Sequence, residues 1–92
     1  MELSERTIQT LETEGYDSID EQHHAPGTTL PMVTSPGTTA VCVTDGTITI
    51  TYADTVRTLT TMQRITIPAR VPYAVLVGPR GCQVVIGEMN MR

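Results

Sequence analysis

The hydrophobic pattern changes its period once, near residue 15. Before that point Leu3, Ile8 and Leu11 fall near one face at helical spacing, with charged and hydroxyl residues between them. Ser4 stands where an N-cap is wanted, Glu5 is well placed against the helix dipole, and Gly15 supplies a left-handed stop. The pattern predicts one amphipathic helix over Glu5 to Glu14, lying against the outside of whatever follows. From Tyr16 onward the period falls to two. Its clearest stretch is Thr47 to Tyr52, which sets Ile48, Ile50 and Tyr52 on one face and Thr47, Thr49 and Thr51 on the other.

The remaining strands are short and bounded by turn residues. Ser18 to His24 ends at Ala25-Pro26-Gly27. Thr28 to Ser35 contains Pro31, which suits an edge or a bulge, and ends at Pro36-Gly37. Thr39 to Thr44 follows, and Asp45-Gly46 carries a strong hairpin signal that predicts a tight reversal into Thr47 to Tyr52. Ala53-Asp54 turns the chain into Val56 to Thr60. Arg64 to Ile67, Tyr73 to Val77 and Cys82 to Glu88 complete the set, the last two joined by Gly78-Pro79-Arg80-Gly81. Many short strands after one small helix, with no α/β alternation, predict an all-β fold, an antiparallel β-barrel or jelly roll with a short N-terminal α-helix. At 92 residues the chain is expected to form a single domain over 1–92, with a helical segment at 1–15 and the barrel at 16–92.

Composition adds constraints. With no Trp, no Phe and three Tyr, the core has to be built from Val, Ile, Leu and Met. A thin aliphatic core favours burying more surface between two copies, so a homodimer is expected. Acidic residues crowd the lead segment: Glu2, Glu5, Glu12, Glu14, Asp17, Asp20 and Glu21 face only Arg6 there. Beyond them Asp45, Asp54 and Glu88 stand against Arg57, Arg64, Arg70, Arg80 and Arg92. The acidic segment is either a solvated face or packs across the more basic remainder. No basic stripe with interleaved aromatics is present, which argues against a nucleic-acid partner. No apolar stretch reaches the length of a membrane span and the first residues are not a signal peptide, so the expectation is a cytoplasmic protein with no membrane partner.

Candidate chemistry is sparse. Cys42 and Cys82 lie in apolar runs and read as buried, reduced thiols with no sequence-near base. His23 and His24 are adjacent on a strand and point to opposite faces, so they cannot share an ion; one of them faces the barrel mouth. Paired carboxylates would have to come from Asp45, Asp54 or Glu88, and these form no pair.

Two spaced motifs point further. After Gly27 come five residues, Val33-Thr34-Ser35, three more, Thr39, six more and Gly46. Met62 is followed by five residues, Pro68-Ala69-Arg70, two more and Tyr73. These spacings resemble the two cupin motifs, Gly-x5-His-x-His-x3-Glu-x6-Gly and Gly-x5-Pro-x-Gly-x2-His, in that order. Ala25-Pro26-Gly27, Gly78-Pro79-Arg80-Gly81-Cys82 and Ile86-Gly87-Glu88 resemble the flanks of small bacterial cupins. The likeness covers Gly27 to Glu88. It departs at every metal-ligand position, which hold Val33, Ser35, Thr39 and Tyr73, and at two glycine positions, which hold Met62 and Arg70.

The resemblance implies a small cupin without its metal site. Val33 has no lone pair to donate, and the hydroxyls of Ser35, Thr39 and Tyr73 are weak ligands beside imidazole and carboxylate. The expectation is therefore a non-catalytic protein with no cofactor. Its degenerate pocket of Val33, Ser35, Thr39 and Tyr73 is expected to bind or sense a small neutral organic ligand. Two alternatives stay open: a structural or interaction protein whose barrel is plugged by side chains, and a metal-independent isomerase or lyase that uses Tyr73 as acid.

Overall fold

The structure, a computed structural model, describes residues 3–89. Helix α1 (Leu3–Glu14) precedes six strands: β1 (Ser18–His24), β2 (Thr29–Val33), β3 (Thr38–Tyr52), β4 (Thr55–Thr60), β5 (Arg64–Ile67) and β6 (Tyr73–Met89). Strands β3 and β6 pair antiparallel along their whole length, from Thr38↔Met89 to Tyr52↔Tyr73. Every other strand pairs with one of these two. β5 joins the first half of β3 and β1 the second half of β6, while β4 and β2 join the other halves. The ribbon is irregular at its middle, and its halves form two four-stranded layers, β1-β6-β3-β5 and β2-β6-β3-β4. This is the antiparallel jelly roll that the strand pattern predicts.

The Asp45-Gly46 reversal is not observed. Gly46 lies inside β3 and is paired with Cys82, in the stretch where the register slips between Val43 and Asp45 and again between Gly46 and Ile48. Gly46 does use the left-handed conformation that an Asp-Gly turn requires, with φ of 84°. It is spent on a bulge, because both flanking segments find a partner in β6 rather than in each other. Gly78-Pro79-Arg80-Gly81 likewise lies within one continuous strand, with Gly81 at φ 79°. The two glycines allow β3 and β6 to touch at the bend. A Cβ on Gly46 would stand 2.2 Å from the Gly81 carbonyl oxygen. The real hairpin is at Ala53-Asp54, where both residues have positive φ (46° and 62°) and Tyr52 pairs with Thr55. That is type I′ geometry, whose twist suits two adjoining strands.

Between the layers lies an aliphatic core. Val41, Val43, Ile65, Ile67 and Val84 come from one layer, and Ile48, Ile50, Leu59, Val75 and Val77 from the other. The inward placement of Ile48 and Ile50 is the one the alternation predicts. A second, smaller core lies on the outer face of the first layer, where Leu11 and Tyr16 cover Ala40, Cys42 and Val85. Helix α1 thus covers the outside of the sheet, as expected. Burying one leucine is worth about 1.5–3 kcal/mol, and fully buried Leu11 is the helix's main anchor.

The helix begins earlier than its capping signal suggests. Leu3 is already helical, so Ser4 lies inside the first turn rather than at a cap. Its hydroxyl is buried against the sheet and accepts a 3.4 Å hydrogen bond from Gln83 Nε2. Gly15 ends the helix at φ 100°, as predicted. At that end Arg64 donates two 2.9 Å hydrogen bonds to the carboxylate of Glu14, tying the acidic segment to β5. The bond to Arg64 holds the Glu14 carboxyl below its ordinary value.

Replacing Gly46 with Ala is expected to lower stability by about 3 kcal/mol or more, since it adds backbone overlap to an unfavourable φ. Urea denaturation of the purified variant measures this.

Candidate ligand site between the sheets

The backbone keeps the left-handed conformation at both positions where the second motif departs from glycine. Met62 has φ of 73° and Arg70 of 64°. The Arg70 amide donates to the Ser35 carbonyl at 2.8 Å, which ties the second motif to the first. The four motif positions then differ in what they do. Val33 is the register partner of Tyr73 on β2 and remains 46% exposed. Ser35 is buried, and its hydroxyl accepts from the Gly37 amide at 3.4 Å in the Pro36-Gly37 turn. Thr39 is 1% exposed on β3, and its hydroxyl has no hydrogen-bond partner. It is register partner to Ile67 on one side and Glu88 on the other, which places it on the inner face. Tyr73 is buried at the start of β6.

Tyr73 also borders a cavity of about 250 Å³, with Ser18, Asp20, Gln22, Ile86 and Glu88 as its other walls. Val33, Ser35 and Thr39 are not among them. Five of these six residues come from β1 and the end of β6 in one layer, while Tyr73 comes from the other, so the cavity opens between the layers. Strand alternation explains the grouping. Ser18 pairs with Glu88, Asp20 with Ile86 and Gln22 with Val84, and paired residues share a face. The odd-numbered residues of β1 face the other way, with Ile19 in the outer core under the helix.

The Tyr73 hydroxyl forms no hydrogen bond with any described residue. Burial raises the pKa of its phenol above the ordinary value, and the Glu88 carboxylate adds to the effect. Near neutral pH the phenol therefore stays protonated and keeps its proton to donate.

A hydrogen-bond chain runs along the inner side of β1. Gln22 Nε2 donates to Asp20 Oδ2 at 3.0 Å, and Gln22 Oε1 lies 2.9 Å from His24 Nε2. A carboxylate only accepts, so the Gln22 nitrogen faces Asp20, its carbonyl faces His24, and His24 Nε2–H is the donor. His24 thus lies on the barrel side, while His23 points outward, 3.6 Å from Glu21. This divides the pair as strand alternation requires.

Sequence reasoning missed the carboxylates of this cavity. It searched for acid pairs with Glu88 and two turn residues, and did not weigh Asp20 on β1. The usable signal was the alternation Ser18-x-Asp20-x-Gln22-x-His24, polar at every second position. What it lacked was the β1–β6 register that brings this row beside Glu88. Elsewhere, Cys42 and Cys82 are free and buried, on opposite faces of the first layer: Cys42 in the outer core, Cys82 in the inner one. Among the described residues no three His, Cys, Asp or Glu side chains are grouped to hold a metal, and no helix is long and apolar enough to cross a membrane.

No family model matches the chain, and no curated protein matches its sequence. Solved structures do match it in fold. A conserved protein of unknown function from Streptococcus pyogenes superposes with a TM-score of 0.69 at 19% identity, covering 89% of this chain and 85% of that one. An RmlC-like cupin from Shewanella frigidimarina gives a TM-score of 0.72 at 14% identity over 80% of this chain. A cupin superfamily protein from Desulfitobacterium hafniense gives 0.68 at 16% identity over 82%. The chain spans 81% of the Desulfitobacterium chain and 66% of the Shewanella chain.

Thr39→Val removes a buried hydroxyl that has no partner while keeping the side chain's shape. It is expected to stabilise the protein by roughly 1 kcal/mol, read as a higher midpoint in thermal or urea unfolding.

Proposed function

The chain has the cupin fold, and on that framework we propose a non-catalytic binding module that holds a small polar organic molecule against Tyr73. One observation carries the reading. The Tyr73 side chain is largely buried, yet its hydroxyl forms no hydrogen bond with any described residue and remains accessible at a cavity with polar walls. A ligand hydroxyl, carbonyl or amine placed there completes the unmade bond.

A metal is not part of this reading. The motif positions offer Val33, which has no donor atom, and three neutral hydroxyls, of which the Ser35 oxygen is engaged in a turn. This set does not fit Zn, Fe, Mn or Ni, which take imidazole, thiolate or carboxylate ligands. Binding is favoured over chemistry because no base is hydrogen-bonded to the phenol it would have to serve.

A second reading concerns association, and a separate surface favours it. The outer face of the β2-β6-β3-β4 layer presents Thr49 and Thr51 of β3, Val56 and Thr58 of β4, and Ala74 and Leu76 of β6. These residues carry no charge, and Val56 and Leu76 are 64% and 50% exposed. A flat, neutral face with exposed aliphatic groups suits a second copy of this chain, whose identical face adds no repulsion.

The binding reading is tested by titrating a small-metabolite library into ¹⁵N-labelled protein. Expected are amide shifts confined to Ser18, Gln22, Tyr73, Ile86 and Glu88. Tyr73→Phe should weaken the binding about tenfold while leaving the fold intact, a loss of about 1.4 kcal/mol. Shifts centred elsewhere, or a Tyr73→Phe variant that binds as well, contradict it. Association is tested by light scattering after size exclusion: a dimer is expected for the natural chain and a monomer for Leu76→Glu. A natural chain that is already monomeric at high concentration rules this face out.

A further inference from the structure

We infer that the molecule held at Tyr73 is a small organic cation carrying N–H donors, an ammonium or guanidinium ion. This rests on the binding reading and adds the ligand's charge to it. Two carboxylates, Asp20 and Glu88, line the cavity with Tyr73, Ser18, Gln22 and Ile86, and among the described residues no arginine is in its walls. The described arginines, at 6, 57, 64, 70 and 80, are all outside this lining. Two carboxylates on the walls of one recess give it a negative potential, which favours a cation over a neutral molecule or an anion. The neutral ligand expected from the motif positions took no account of Asp20.

Acidic side chains alone do not make a site, and the phenol is the independent element. Tyr73 is 9% exposed and its oxygen has no partner among the described residues, so it has lone pairs to accept a ligand N–H. Its ring adds an aromatic surface of the kind that attracts cations. The remaining walls favour an organic ion over a bare metal ion. The Gln22 carbonyl, the natural oxygen ligand for a hard cation, is turned away to accept from His24, and its amide nitrogen faces Asp20. Ile86 contributes an apolar patch that suits a carbon chain rather than a hydrated ion. The cavity is smaller than the roughly 300–1,000 Å³ typical of drug-sized ligands, so the ion has few carbon atoms.

The test uses defined probes on the whole chain: 1,4-diaminobutane and methylguanidinium as cations, 1,4-butanediol as a neutral analogue, succinate as an anion and calcium chloride as a metal. Amide shifts at Ser18, Gln22, Tyr73, Ile86 and Glu88 report occupancy, and calorimetry gives the affinity. One or both cations are expected to bind at least tenfold more tightly than the diol, with succinate and calcium giving no shift there. Asp20→Asn and Glu88→Gln, both near-isosteric, are each expected to weaken cation binding about fivefold or more and to leave diol binding unchanged. If either variant fails to fold, salt gives the same reading on the natural chain. Raising ionic strength should weaken the cations and not the diol. Diol bound at these residues as tightly as the cations, or succinate or calcium bound more tightly, overturns the charge assignment and leaves the binding site standing. No shift at these residues with any probe overturns both.

Discussion

Everything in this molecule hangs on the pairing between β3 and β6. Among the described residues they are the only strands long enough to cross from one layer to the other, and each remaining strand hydrogen-bonds to one or other of them. Their register therefore sets the facing of every side chain in both sheets, since a slip of one residue would exchange inner and outer faces. The ribbon has to change direction without losing its pairing. Gly46 and Gly81 permit this, with left-handed backbone and an approach too close for any Cβ. The rest of the fold is attached to that bent ribbon.

The ribbon also explains why the interior is apolar at its centre and polar at one mouth. In the middle, inward positions of both strands are Val and Ile, and they fill the space between the layers. At the far end β6 contributes Tyr73 at its start and Glu88 near its finish, and the bend brings these two ends of one strand to the same cavity. Strand β1 then adds a polar row along Glu88. The site is thus a junction of the first and last residues of a single strand, with a row of acid, amide and hydroxyl groups supplied by the edge strand beside it. Buried polar groups in such a place are costly unless paired. The unpaired hydroxyl of Thr39 is where this structure bears that cost.

The lead segment settles differently from either simple reading of its charge. Glu14 is bound to Arg64, and hydrogen bonds from Ser4 and then Gln83 hold the Glu21 carboxyl below its ordinary value. Other acids, such as Glu5 and Glu12, lie on exposed helix positions. One face of the helix is fixed by Leu11 and these few polar contacts, and the other is solvated. Because the exposed ion pair is worth little by itself, it is the apolar face that fixes the helix.

Local chemistry in the sequence determined a good deal. It placed all of the strand segments, the helix, the left-handed stop at Gly15, the reversal at Ala53-Asp54 and the inward facing of Ile48 and Ile50, because these follow from side-chain period and backbone preference within a few residues. The motif spacing singled out Tyr73, which borders the cavity, together with Val33, Ser35 and Thr39, which do not. Only tertiary pairing decided that Asp45-Gly46 and Gly78-Gly81 are bends within long strands rather than links between short ones. A left-handed glycine serves a hairpin or a bulge equally well, and the difference lies in whether the partner strand is near or distant in sequence. The same holds at the site: Asp20 and Glu88 are 68 positions apart, and no local preference could bring them together. The register of β1 on β6 did that, and it exists only once the chain has folded.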